Sequence, residues 1–277
     1  MGRISVGGKL HKDNGALFQD MINHNLDVAL LQELGINWDY VGFQEGLQAR
    51  LDEWMEPGQT KSVTACNRKD AVKKELQWGG TGVIAHGKMS HFVMQTGVDK
   101  LGLGRWSWMR FRGKGRVVLR VVSIYKPVHD DTWTGSVWNQ HVTGLRLIND
   151  AREPRQAFME DLKKELQSWH DEGDQIIVGG DINTHVLHDS IVDLFQEFNM
   201  KHLIFDMHGS DNAPKTYIPP KKKDSAQPDG EPVEAANPQD AEGANRIVDG
   251  LWSTPGLKAT QCGYLAPGDF FGDHSLL

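Results

Sequence analysis

The chain is poor in cysteine. It carries two, Cys66 and Cys262, far apart in 277 residues. No charged leader followed by an apolar stretch stands at its start, so a disulfide-stapled secreted scaffold is not expected. Apolar runs are short throughout, well under the roughly 20 residues that cross a bilayer. An excess of positive charge is also missing: 30 Lys and Arg stand against 37 Asp and Glu, a formal net charge of -7. The chain as a whole therefore has no basic footprint for nucleic acid. That argues against tight duplex binding, but not against a nuclease that meets its substrate briefly through a metal ion. Internal repeats are absent. What these absences leave is a soluble intracellular protein, cytoplasmic or nuclear and not secreted, without membrane association.

At this length one core can bury roughly 75% of the unfolded chain's surface, and one large α/β domain or two small ones are both allowed. The 9 tryptophans are many; most belong in a core, with one or two lining a site. "RISVGGKL" has the character of a short strand. "DNGALFQDMINHNL" has helical spacing, with Asp13 as its N-cap. Asp27–Leu34, "DVALLQEL", is a buried strand, and "DYVGFQEGLQARLDEWM" reads as a helix closed by "EPG". "KSVTAC", "GGTGVIAHG", "HFVMQTG", "GRWSWMRFRG" and "RVVLRVVSIYKP" form a strand-rich block. Gly113-Lys114-Gly115 turns its last hairpin. Arg152 to Trp169 is a long amphipathic helix with Pro154 in its first turn. After "IIVGGDINTH" come a helix near Ile191–Phe198, a strand "HLIFDM", and a strand and turn in "NRIVDGLWSTPGL". Residues 219–244, rich in Pro, Ala, Asp and Glu, have almost nothing to bury and read as a disordered insertion within one domain spanning 1–277. Their "KKK" reads as a solvated charge run. Hairpins in the middle of an alternating chain imply mixed sheets.

The stretch "IIVGGDINTH" (176–185) raises the chemical question. An apolar strand ends in Asp181 and Asn183, and alternation along a strand points both the same way. Open α/β folds place their sites at that edge, and the two glycines admit another backbone or a ligand. The same residues fit equally well as a turn capping a strand end. "DVALLQEL" ends in Gln32-Glu33, a carboxylate suited to Mg²⁺ or simply to the start of a surface loop. Tyr125 closes "VVSIY", where a phenol can donate to a phosphate or lie satisfied in a core. Asp249 follows "RIV", and Asp273-His274 stand near the end of the chain. A carboxylate such as Asp249 can orient a histidine as a general base, although His274 alone fits an ordinary polar residue.

In order along the chain, these segments resemble the endonuclease/exonuclease/phosphatase superfamily, the deoxyribonuclease I-like fold. "LLQE" resembles its first acidic motif and "GGTGVIA" its glycine-led central strand. "SIYKP" is similar to its Tyr-x-Pro segment, "GGDIN" to its Gly-Asp-x-Asn, and "PKTY" to its Thr-aromatic segment. "IVDG" and "GDHSLL" resemble its Ile-Asp-Tyr and Ser-Asp-His motifs. The wording is most like that of the endonuclease domains of reverse-transcriptase-bearing retroelements. The resemblance implies a four-layered α/β sandwich, two mixed β-sheets packed face to face and flanked by helices. It implies Glu33 as ligand of a divalent metal, Mg²⁺ or in its place Mn²⁺, with Asp273 supporting the metal site. Tyr125 and Asn183 would hold the scissile phosphate. Asp181 would transfer a proton or activate the nucleophile, and His274, oriented by Asp249, would contact the phosphate or activate water. Two departures stand out. Ser5 occupies the place of the family's metal-side asparagine, and the Asp-His motif is followed by three residues where a strand is usual, as in a domain cut from a longer polyprotein.

The function so implied is a metal-dependent phosphodiesterase, a DNA endonuclease. Arg105, Arg110, Arg112, Lys114, Arg116 and Arg120 could supply a local basic patch, or a solvated hairpin face. A phosphomonoesterase of the same fold, acting on a small or lipid phosphate, would use the same residues. A catalytically impaired domain that binds nucleic acid or protein is a third reading. Ser5 and the short end favour it; the full set Glu33, Asp181, Asn183, Asp249 and His274 opposes it.

Overall fold

A computed structural model of the protein describes residues 11–70, 74–210, 216 and 247–263. Helix α1 (His11–Asn23) leads into β1 (Val28–Gln32). Helix α2 (Leu47–Trp54) is followed by β2 (Thr60–Ala65) and β3 (Thr81–His86), then the short α3 (Lys88–Phe92). Next come β4 (Val93–Val98), β5 (Trp106–Arg112) and β6 (Val118–Tyr125). Helices α4 (Val137–Arg146) and α5 (Pro154–Asp171) precede β7 (Gln175–Asp181). The described chain closes with α6 (Asp189–Glu197), β8 (Lys201–His202), α7 (Leu203–His208) and β9 (Asp249–Ser253).

Two sheets result. A 3-stranded antiparallel sheet has the order β1-β3-β2, and a 6-stranded mixed sheet the order β4-β5-β6-β7-β9-β8. The one parallel pairing in the larger sheet is β6 with β7. Parallel neighbours need a crossover of a dozen or more residues, and α4 and α5 lie in it.

Alternation sorts the apolar residues into layers. On β3, Ile84 packs with Leu17, Phe18, Met21 and Leu51 of α1 and α2, whereas Val83 and Ala85 face the other way. Those two meet Met109, Phe111 and Val121 of the larger sheet. The opposite face of that sheet, with Val122, Ile124, Ile176 and Val178, packs under Phe158, Leu162 and Leu166 of α5 and Ile191 and Phe195 of α6. Helices, sheet, sheet, helices: the four layers follow from strands that are apolar on both faces.

Several expectations change. Asp13 lies inside α1, which begins at His11. The stretch before α2 forms two 3₁₀ turns, Trp38–Tyr40 and Phe43–Glu45, because Gly42 and Gly46 punctuate it. "HLIFDM" is helical from Leu203; only Lys201–His202 pairs with β9, and the His202 ring accepts the Phe205 N–H as an N-cap. Helix α4 was not anticipated. Its signals are the Ser136 cap, whose hydroxyl accepts the Asn139 N–H at 3.2 Å, and buried Trp138, His141 and Leu145 at helical spacing. Segments 1–10 and 219–244 lie outside the described residues.

Candidate active site

The site is built on β7. Its glycines admit protein, not ligand. A Cβ on Gly179 would come within 2.6 Å of Leu30 Cδ1 in the facing sheet, and one on Gly180 within 2.0 Å of the Ile124 carbonyl oxygen on β6. Both neighbours therefore close onto β7 as they could around no larger residue. The register then sets Tyr125 opposite Asp181, and Asp181 opposite Asp249. Three adjacent strands present these residues in a row, all at most 6% exposed.

Glu33 arrives from the other sheet. The Ser123 hydroxyl donates to the Leu31 carbonyl at 2.8 Å, and Gln32 Nε2 donates back to Ser123 Oγ at 2.9 Å. This tie pins the end of β1 beside the end of β6, where the Tyr125 hydroxyl donates to Glu33 Oε1 at 2.6 Å. Glu33 takes a backbone φ of 51°; the other non-glycine residues with positive φ among those described are all asparagines. Asparagine tolerates that region through local side-chain bonds, whereas for glutamate it costs on the order of 1 kcal/mol. The surrounding chain holds it there, through Gly35 N–H on the Gly79 carbonyl at 3.0 Å and Gln77 N–H on the Gly35 carbonyl at 3.1 Å.

Asp181 is gripped by its near neighbour. The Asn183 N–H donates to Asp181 Oδ1 at 2.8 Å, and Asn183 Nδ2 to Asp181 Oδ2 at 3.1 Å and to the Lys126 carbonyl at 2.8 Å. The two side chains meet because Asn183 turns back at φ 44°, beyond the end of the strand. Strand alternation is not what joins them. The capping turn and the converging site are thus one and the same structure.

Burial first, then the charges of Glu33 and Asp181 and the bond to Glu33, push the Tyr125 phenol well above its usual range, while a bond with Asn183 works the other way. Tyr125 is therefore a committed proton donor at neutral pH. Behind this row lies a layer that the sequence did not reveal. The buried Lys126 ammonium donates to Thr184 Oγ1 at 2.8 Å, and Arg155 donates to the same hydroxyl and to the Asn183 carbonyl at 2.9 Å. Burial, followed by the Arg155 charge, lowers Lys126 to about 7. On the far side, buried Thr216 of "PKTY" accepts the N–H groups of Val248 and Asp249 at 3.0 and 3.1 Å. Lys126 and Thr184 directly follow Tyr125 and Asn183, the only local hint of their part.

The structure thus brings Glu33, Tyr125, Asp181, Asn183 and Asp249 to one edge. Ser5, Asp273 and His274 lie outside the described residues. The basic patch is corrected: Arg105 is buried on Asp99 and Asp161, Arg110 pairs with Asp174, and Arg120 is buried against Asp174 and Glu172 with its guanidinium over Trp108. Arg112, Lys114 and Arg116 remain exposed, but at the β5–β6 hairpin, the end of β6 away from Tyr125.

No family model matches the sequence, and no curated protein matches it. Solved structures do. An AP endonuclease from Archaeoglobus fulgidus superposes with a TM-score of 0.57 at 12% identity, over 99% of this chain and 95% of that one. An endonuclease/exonuclease/phosphatase family protein from Leptotrichia buccalis gives 0.55 at 10% identity, over 99% and 95%. The 3′ phosphatase NExo from Neisseria, bound to product DNA hairpin, gives 0.55 at 11% identity, over 93% and 90%. The chain has the deoxyribonuclease I-like fold. Within that fold, the described donors of the site are carboxylate and amide oxygens, which suit a hard divalent ion. No group of three acidic, histidine or cysteine side chains among the described residues could cage one. Mg²⁺ does not need such a cage, since it keeps several waters and binds through one or two carboxylates, and Glu33 is half-exposed. The residues present fit such an ion.

Proposed function

We propose that this protein is a divalent-metal-dependent phosphoesterase that cuts phosphodiester bonds in DNA as an endonuclease. One observation carries the reading: the hydrogen bond from Tyr125 to Glu33, made between two sheets, stands in a row with the Asp181–Asn183 pair. A buried phenol that keeps its proton and a carboxylate held in one orientation suit a phosphate that must gain charge and release an alcohol. The structural neighbours named for AP endonuclease and DNA 3′ phosphatase activity support the substrate class.

In this reading Glu33 holds the metal, with Asp273 and Ser5 as its other candidates. When bound, the ion supplies Lewis acidity and neutralises phosphate charge. Tyr125 shifts its proton from Glu33 toward a phosphate oxygen, and Asn183 turns the amide N–H that rests on Asp181 Oδ2 toward the same group while its backbone N–H keeps hold of Asp181, so that both donors stabilise the charge that develops. Asp181, kept in place by Asn183, exchanges the proton of the nucleophile or leaving group. His274, oriented by Asp249, activates water or contacts the phosphate. A retroelement origin and fusion to further domains, the finer part of the reading, rest on the wording of the motifs alone.

A phosphomonoesterase would use the same row of residues, and the phosphatase named among the neighbours is the observation behind that second reading. Incubation of the protein with supercoiled plasmid and, separately, with para-nitrophenyl phosphate, each with Mg²⁺ or EDTA, decides between them. Mg²⁺-dependent nicking with little monoester turnover is expected. The reverse pattern would replace the endonuclease by the monoesterase.

A further inference from the structure

Two tryptophans outside the catalytic row stand at its rim. Trp78 precedes β3 in the loop whose Gln77 and Gly79 bond to Gly35, two residues past Glu33. Its neighbour Gly79, at φ +81°, adjoins the Tyr125 ring: a Cβ there would lie in ordinary contact, 3.7 Å from Tyr125 Cε1. Trp133 lies in the loop after β6. Asp130 Oδ1 takes the N–H of Thr132 at 3.1 Å and that of Trp133 at 3.4 Å, and Asn139 Nδ2 donates to the Trp133 carbonyl at 2.9 Å. The two indoles meet edge to face, 5.5 Å between centroids and 81° between planes. Trp133 is nonetheless 47% exposed and Trp78 is half-buried. Indole surface of Trp133 is thus exposed against Trp78, the residue before the Gly79 that adjoins the Tyr125 ring.

Charge makes that surface matter. The chain carries -7 overall, and Arg105, Arg110 and Arg120 are committed to carboxylates. Those three arginines therefore supply no phosphate contacts, the usual source of affinity for nucleic acid. Stacking of bases on aromatic rings needs no net charge and tolerates any sequence. A base inside a duplex is already stacked on both faces, so only an unpaired base can use such a surface.

We infer that Trp78 and Trp133 form a stacking platform for an unpaired nucleobase beside the scissile phosphate, so that the substrate is single-stranded or frayed nucleic acid. The inference rests on the phosphodiesterase reading for the identity of the neighbouring phosphate. Its test has two independent arms, using the full chain. In the first, a fluorescein-labelled oligo-dT is titrated with protein in Ca²⁺ and followed by anisotropy. Wild type should bind it, and Trp78→Ala/Trp133→Ala should bind about tenfold more weakly (about 1.4 kcal/mol). Trp133→Ala alone, at the more exposed ring, should lose part of that, and Trp133→Phe should restore most of it. In the second arm, Mg²⁺-dependent cleavage is compared on single-stranded, duplex and tetrahydrofuran-abasic oligonucleotides. The single strand should be preferred, and the double variant should raise its KM while leaving kcat within about threefold. Abasic residues next to the cut should cost wild type much and the double variant little. Equal binding of oligo-dT by wild type and double variant would overturn the platform, even if cleavage is normal. A wild type that prefers duplex would overturn it too. Binding without cleavage of any substrate would instead remove the phosphodiesterase reading and leave the platform standing.

Discussion

At the scale of single residues, the site depends on partners that hold one another. Tyr125 keeps its proton because burial and two nearby carboxylates oppose the phenolate. It donates that proton to Glu33, whose own backbone is held in a conformation glutamate rarely takes. Tyr125→Phe should lower kcat about a hundredfold, the usual cost of one preorganised donor. Stability should change by only about 1 kcal/mol, because water can replace the lost bond at half-exposed Glu33. Single-turnover kinetics beside a thermal melt check both halves; unchanged turnover would take the phenol out of the chemistry. The places of Glu33, Tyr125 and Asp181 are legible in the sequence, each at the close of an apolar strand. Those strand ends alone fit a surface loop, a core tyrosine or a capping turn as well, and the roles of the three residues come from the family resemblance. Lys126, Thr184 and Arg155 are not legible. The bond from Arg155 to the Asn183 carbonyl joins residues 28 apart, and no local pattern announces it. The same blindness makes Arg110 and Arg120 look like surface charge, since their shared partner Asp174 is 64 and 54 residues away.

Among elements, β7 organises the rest. Its two glycines sit in different surroundings, which separates their predicted effects. Gly180→Ala would set a methyl 2.0 Å from a backbone oxygen of β6, at a φ of 153°. Gly179→Ala would press on Leu30 Cδ1 and Leu251 Cδ1, the ends of flexible side chains. Urea denaturation should show Gly180→Ala losing more than about 3 kcal/mol, and Gly179→Ala distinctly less, since backbone cannot step aside as a leucine methyl can. Equal losses would contradict the close approach of β6 to β7. Most strands of the described chain are readable as apolar runs bounded by turn residues. "HLIFDM" is not, because a short apolar run carries no period of its own. A tertiary choice, the His202 cap together with its stacking on Phe205, makes it a helix.

At the scale of the whole molecule, ionisable groups buried without charge limit the pH range. His141 is buried, and desolvation followed by the Arg105 charge lowers it to about 4. Desolvation also lowers His202 to about 4. The unfolded chain binds these protons near the ordinary value of 6.5, so it is favoured as pH falls from about 6.5 to 4. The carboxylates in the arginine networks act lower: Asp150 is held at about 2 by its bonds from Arg152, and the same arginine helps to depress Asp161. Urea midpoints should therefore fall between pH 6.5 and 4, His141 accounting for about 3 kcal/mol, while Lys126, lowered to about 7, makes them rise with pH above 7. His141→Gln should flatten that fall. A midpoint constant down to pH 4 would mean that His141 titrates freely in the folded state.

The proposed phosphodiester hydrolysis turns on Asp181, at the end of β7. Asp181→Asn changes one oxygen to an amide and can still accept the Asn183 N–H. The most direct measurement is nicking of supercoiled plasmid in Mg²⁺ by wild type and by Asp181→Asn, with a thermal melt of both. Wild type should nick, EDTA should abolish the nicking, and the variant should lose at least about a thousandfold at a nearly unchanged melting temperature. Nicking by a folded Asp181→Asn at the wild-type rate would contradict that role for Asp181.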